Sequence, residues 1–131
     1  MSAEDENPHS PSTRVIIVED SFHVADGLRC VLQSLGVTVA GMAGSVKTAL
    51  DLVANAVFDI AVLDIDLHGV RVTPVADAVR AQGKPLVFLS GYGDADLLPA
   101  HLQTCPRLEK PVDPEQLLAT IDQVLGSPLT G

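Results

Sequence analysis

Residues 61–69, AVLDIDLHG, run apolar for three positions and then set two carboxylates, Asp64 and Asp66, around one isoleucine. With Ile60 before it, the run reads as a strand buried on both faces, the pattern of a parallel sheet covered by helices. The acid therefore falls at the strand's carboxyl end. Whether either aspartate does chemistry depends on what the other strands carry at that end.

The same punctuation recurs along the chain. RVIIV (14–18) is followed by Glu19 and Asp20, PLVFLS (85–90) ends in Ser90, and the short PRLEKP (106–111) runs into Lys110 and Pro111. VTVAGMA (37–43) supplies one further strand. Between strands, a helix is predicted from Ser21 to Leu35, stopped by Gly36, with Leu28, Val31, Leu32 and Leu35 on its buried face. Ser45 is placed to cap VKTALDLVANA, whose Val46, Leu50 and Val53 or Ala54 recur at helical spacing. TPVADAVRAQG has Pro74 in its first turn and Gly83 past its end, and DPEQLLATIDQVLG has Asp113 as cap, Pro114 first and Gly126 beyond. In DADLLPAHLQT, Pro99 lies too deep for a first turn, so a short, kinked or partly loop-like fourth helix is predicted.

Five strands alternating with helices predict a doubly wound α/β fold, a five-stranded parallel sheet of order 2-1-3-4-5 with ligands bound beyond the strands' carboxyl ends. The domain is expected over 13–126. Residues 1–12, MSAEDENPHSPS, are expected to be a disordered leader, and 127–131 a tail.

The composition narrows the function classes. A chain of 131 residues fits one domain, and its 47% hydrophobic content includes no apolar run of the roughly 18 residues a membrane span needs. A net charge of −9 argues against nucleic acid and anionic membranes as partners. Cys30 and Cys105 lack metal-type spacing and the amino terminus has no signal-peptide pattern, so a cytoplasmic location is expected. His9, His23, His68 and His101 form no metal-spaced pair; His68 reads as a solvated loop residue.

In the predicted strand order Glu19, Asp20, Asp64, Ser90 and Lys110 converge on one hollow. Singly, each has an ordinary reading: a helix cap or solvated turn for the acids, a turn residue for Ser90, an exposed lysine for Lys110. Together they call for a cation, because crowded carboxylates repel and would otherwise hold protons. Oxygen ligands with positions left for phosphate suit Mg²⁺. A carboxylate such as Asp64 can attack phosphorus to give an acyl phosphate, with metal and ammonium neutralising the phosphoryl oxygens and a hydroxyl donating to one of them.

With VIIVEDS, IAVLDIDLHG, LVFLSG and EKP in this order and at these strand ends, the chain resembles the receiver domain of two-component response regulators over Thr13 to Leu125. The resemblance implies that Asp64 is the phosphoacceptor, that Glu19, Asp20, Asp64 and the main-chain carbonyl of Asp66 hold Mg²⁺, and that Ser90 and Lys110 contact the phosphoryl group. It implies a histidine kinase or histidine phosphotransfer protein as donor and catalysis only of the chain's own phosphorylation and dephosphorylation. It also implies a cis Lys110–Pro111 bond. Since no output domain follows Gly131, a stand-alone regulator acting by protein contact or onward phosphotransfer is expected. Two features are particular to this sequence. Arg107 stands where receivers usually carry a Tyr or Phe that swings inward, and FLSGYG (88–93) resembles the motif of the FAT GUY receivers, with Leu89 and Ser90 in place of Ala and Thr. Tyr92 is then a candidate for transmitting the state of the site.

Other classes fit less of the pattern. A haloacid-dehalogenase-type phosphatase would use Asp64, Asp66, Ser90 and Lys110 but leave Glu19 and Asp20 unexplained. A flavodoxin-like flavin carrier would want an anion-binding loop where EDSFHVADG places acid. A receiver fold used only as a phosphorylation-independent binding module would not need the complete acidic set.

Overall fold

Alternation along the three longest apolar runs sorts their side chains into two layers. The computed structural model describes residues 13–126; the predicted leader and tail lie outside them. β1 (Arg14–Val18), β3 (Ile60–Asp64) and β6 (Leu86–Ser90) are the three central strands of the sheet. Successive residues of a strand point to opposite faces. Thus Ile16, Val18, Ala61, Leu63, Leu86 and Phe88 enter one core, while Val15, Ile17, Ile60, Val62, Val87 and Leu89 enter the other. Burial on both faces explains why Val15–Val18, Ile60–Leu63 and Leu86–Leu89 are wholly apolar.

The edges are β2 (Thr38–Ala43) and β7 (Arg107–Glu109), giving the parallel order β2-β1-β3-β6-β7. Counted over the main sheet alone, this is the expected 2-1-3-4-5. The two remaining strands, β4 (Asp66–Leu67) and β5 (Val70–Arg71), form a separate antiparallel hairpin that the sequence reading did not foresee. Its two-residue turn places His68 at φ 51° and Gly69 at φ 84°, the double positive φ that matches the twist of a tight hairpin.

α1 (Phe22–Ser34) and α4 (Pro114–Val124) cover one face; α2 (Val46–Asn55) and α3 (Thr73–Ala81) cover the other. Ser21 caps α1 by accepting from the Val24 amide at 3.4 Å, and Asp113 caps α4 by accepting from the Glu115 amide. Ser45 and Thr48 satisfy each other's backbone amides in a capping box on α2. In α1 the buried residues are Ala25, Leu28 and Leu32, with Val31 and Leu35 half-buried.

α2 departs from its predicted face. Ala49 and Val53 are buried, Val46 and Leu52 pack against the core, and Leu50 is exposed. Leu52 finds its partner in another element: a Cβ on Gly41 of β2 would stand 2.6 Å from Leu52 Cδ1, so Leu52 packs directly over the bare glycine.

The Pro99 region forms two 3-10 turns, Asp94–Leu97 and Ala100–Leu102, with Pro99 opening the second. Leu98 and Leu102 anchor it in the α2–α3 core. Side chains of α3 hold it from outside: Arg80 donates to the His101 carbonyl at 3.0 Å, and Asp77 Oδ1 lies 2.7 Å from His101 Nε2. Leu102→Ala is expected to destabilise the protein by about 2–5 kcal/mol, the range for emptying a fully buried leucine site. Urea unfolding with an unchanged denaturant slope and a lower midpoint would measure it.

Candidate functional site

Parallel strands deliver their carboxyl ends to one edge, and the first polar residue after each apolar run lands there. Glu19 remains on the ladder through its amide, which donates to the Ala43 carbonyl at 3.0 Å. Its side chain turns back to accept from the Ser21 amide on Oε2 at 3.0 Å. Asp64 closes β3 and is 2% exposed. Lys110 follows β7, where its amide donates to the Ser90 carbonyl at 2.9 Å and its bond to Pro111 is cis, as expected.

These placements bring one ammonium between two buried carboxylates. Lys110 Nζ donates to Asp64 Oδ2 at 2.8 Å and lies 3.1 Å from Glu19 Oε1. The second contact has ion-pair distance without hydrogen-bond alignment, so Glu19 Oε1 is buried and unsatisfied. Asp64 Oδ1 accepts only a long bond, 3.3 Å, from the Asp66 amide among the hydrogen bonds of the described residues. Asp20 Oδ2 accepts from the His68 amide at 2.7 Å, with His68 Nδ1 3.3 Å away.

The electrostatics follow from this crowding. Burial, with a hydrogen bond to Asp20 that favours the protonated form and repulsion from Asp64, pushes the Glu19 carboxyl up to about 6 against the opposing pull of the Ser21 amide and Lys110. Burial likewise raises Asp64, outweighing Lys110. Burial also acts upward on Asp20, but hydrogen bonds from Glu19 and the His68 amide hold it below the usual carboxylate range. Burial opposes the Lys110 charge, and the Asp64 and Glu19 carboxylates together more than restore it.

Carboxylate oxygens of Glu19, Asp20 and Asp64 all lie within 4.8 Å of one another. A hard divalent cation suits this set: the donors are all oxygen, one buried oxygen lacks a hydrogen bond, and Lys110 contacts only two of the three acids. Asp66 stands apart from the cluster in its carboxylate, which accepts from the Gly69 amide at 3.2 Å inside the hairpin. Ser90 is buried at the end of β6. A cavity of about 340 Å³ is lined by Ser90, Gly91, Tyr92 and Lys110 among others, and the Tyr92 side chain is fully exposed.

Two contributors escaped the sequence reading. His68 is exposed, as expected, yet its backbone amide orients Asp20. Asp94 accepts from the Gly91 amide on Oδ2 at 2.8 Å, directly after Ser90. A His-Gly pair between short β-compatible runs was the available signal for the first; the second had only a three-residue spacing.

Comparison with known proteins agrees with this geometry. The model of the response regulator receiver domain matches residues 15–122. SdrG from Sphingomonas melonis Fr1 is 33% identical, with a TM-score of 0.76 over 88% of this chain and 98% of its own. The signal receiver domain of a modulated diguanylate cyclase from Desulfovibrio desulfuricans G20 is 28% identical at TM-score 0.78, covering 88% and 94%. The receiver domain of the PhyR response regulator from Erythrobacter litoralis is 26% identical at TM-score 0.75, covering 88% and 91%. No curated protein matches.

Glu19 makes the ion-free protein sensitive to pH. A carboxyl whose folded pKa, about 6, exceeds its ordinary 4.5 favours folding below pH 4.5, and that contribution is lost as the pH rises through about 6. Glu19→Gln is therefore expected to raise the melting temperature of the ion-free protein near neutral pH and to change it little near pH 4.5. Millimolar Mg²⁺ should stabilise the wild type more than the variant. Thermal scans at both pH values, with and without Mg²⁺, check this.

Proposed function

Because the chain belongs to the response regulator receiver family, we propose that Asp64 is its phosphoacceptor, charged by a histidine kinase or histidine phosphotransfer protein. The observation that carries the assignment is the placement of Asp64: buried at a strand end, its Oδ2 held by Lys110 at 2.8 Å. Asp64 Oδ1, the more weakly held oxygen, attacks phosphorus as the bond from phosphorus to the donor's imidazole nitrogen breaks. The product is an acyl phosphate, and the imidazole leaves neutral on taking up a proton. Lys110 shifts from the carboxylate toward the phosphoryl oxygens, and the Ser90 hydroxyl donates to another of them.

Glu19, Asp20 and Asp64, with the Asp66 carbonyl, are the residues that would hold Mg²⁺. When bound, the ion neutralises carboxylate and phosphoryl charge that one ammonium cannot. Water attack on phosphorus releases inorganic phosphate and regenerates the Asp64 carboxylate, so the domain is a signalling element that catalyses its own resetting. A dehalogenase-type phosphatase would give Glu19 no role, whereas here Glu19 shares Lys110 with Asp64.

The FLSGYG motif and Arg107 support placing the chain with the FAT GUY receivers. Cys30 and Cys105, both free, are compatible with a reducing cytoplasm. Among the described residues no helix is long and apolar enough to cross a membrane.

Wild type incubated with acetyl phosphate and Mg²⁺ is expected to gain one phosphoryl group. Asp64→Asn, or chelation of the metal, should reduce labelling to background while circular dichroism stays unchanged. Intact-mass analysis reads the label, and undiminished labelling of Asp64→Asn would refute the assignment.

A further inference from the structure

Immediately after Ser90, the chain folds Gly91-Tyr92-Gly93-Asp94 into a closed turn. The Asp94 amide donates to the Gly91 carbonyl at 3.2 Å, Gly93 takes φ 79°, and the Gly91 amide donates to Asp94 Oδ2 at 2.8 Å. The carboxylate fills the space that a side chain at 91 would need: a Cβ there would lie 3.1 Å from Asp94 Oδ2. The first backbone donor beyond Ser90 is thus occupied by an anion belonging to the chain itself, beside the cavity shared with Lys110.

From this arrangement we infer that Asp94 is a positioning residue that competes with the phosphoryl group for the Gly91 amide. The inference rests on the reading of Asp64 as phosphoacceptor. Phosphorylation brings about 1.5 to 2 negative charges and three acceptor oxygens into a hollow whose ammonium already serves Glu19 and Asp64. Ser90 and Gly91 line one cavity with Lys110 at the β6 end, and the hydroxyl and the amide are the neutral donors they bring to it. One N–H cannot serve the phosphoryl oxygen and Asp94 Oδ2 equally, and the two anions repel. Phosphorylation therefore displaces the Asp94 carboxylate. Loss of that bond opens the turn that carries the fully exposed Tyr92 and starts the first 3-10 turn. Asp94 thus acts as a built-in competitor: it lowers the affinity of the site for the phosphoryl state and couples occupancy at Asp64 to the Tyr92 turn.

The test uses the full chain with beryllofluoride and Mg²⁺ as the acyl-phosphate mimic. Tyr92 is the one tyrosine in a chain without tryptophan, so tyrosine emission reports on this turn. Asp94→Ala is expected to bind beryllofluoride about threefold to tenfold more tightly than wild type, the range set by one net hydrogen bond. Asp94→Asn, which keeps an acceptor without the charge, should gain less, and the wild-type Gly91 amide resonance should shift on binding. Equal or weaker binding by Asp94→Ala, or an unmoved Gly91 resonance in the saturated wild type, overturns the inference. Wild type that takes neither beryllofluoride nor phosphate on Asp64 overturns the underlying phosphoacceptor reading instead, which separates the two failures.

Discussion

One ammonium shared by two buried carboxylates organises this molecule. Charged groups leave water only when paired, and a buried acid without its partner is costly. Lys110 reaches Asp64 at 2.8 Å and Glu19 at 3.1 Å from the opposite half of the sheet. Its position depends on register. Ser90 aligns with Glu109 across β6 and β7, so the next residue of β7's chain emerges at the rim, where its amide binds the Ser90 carbonyl. The pairing of Asp64 with Leu89 across β3 and β6 sets the opposing acid at the same level. A slip of one residue in either ladder would turn Asp64 or Lys110 to the wrong face.

The remaining charge imbalance makes the site receptive. Three carboxylates against one ammonium leave net negative charge in a poorly hydrated hollow, which raises Glu19 and Asp64 and leaves Glu19 Oε1 without a hydrogen bond. Such a site is under-neutralised by the protein alone, and binding a cation relieves that cost.

Much of this was legible in the sequence because strand runs and their first polar residues obey local rules. RVIIV, IAVLD and LVFLS each meet their first polar residue at the strand's carboxyl end, so Glu19, Asp64 and Ser90 could be placed by inspection. Caps and terminators at Ser45, Asp113 and Gly83 were equally local. What escaped depends on distant partners. The α2 face departs from its pattern at Leu50, since Leu52 packs instead, over Gly41 of another element. The hairpin at Asp66–Arg71 is short enough for its turn, not its strands, to define it. The Asp94 contact needs the loop conformation, which spacing alone does not specify.

The position of Arg107 bears on how a change at Asp64 could travel. A ring there would be an apolar body able to move between solvent and the core. The Arg107 side chain instead donates to the Gln103 carbonyl at 3.1 Å, tying β7 to the segment that follows the second 3-10 turn. A guanidinium is too costly to bury without an acid partner, so inward rotation is not open to it. Leu98 and Leu102 hold the same segment in the core, and Arg80 and Asp77 clasp it from α3. Motion is therefore least restrained before these anchors, in the turn from Gly91 to Asp94. That turn is closed by one backbone bond and one side-chain bond and directly follows Ser90. Arg107 thus ties β7 to the Gln103 segment, while the turn that directly follows β6 carries its own separate tie, from the Gly91 amide to Asp94.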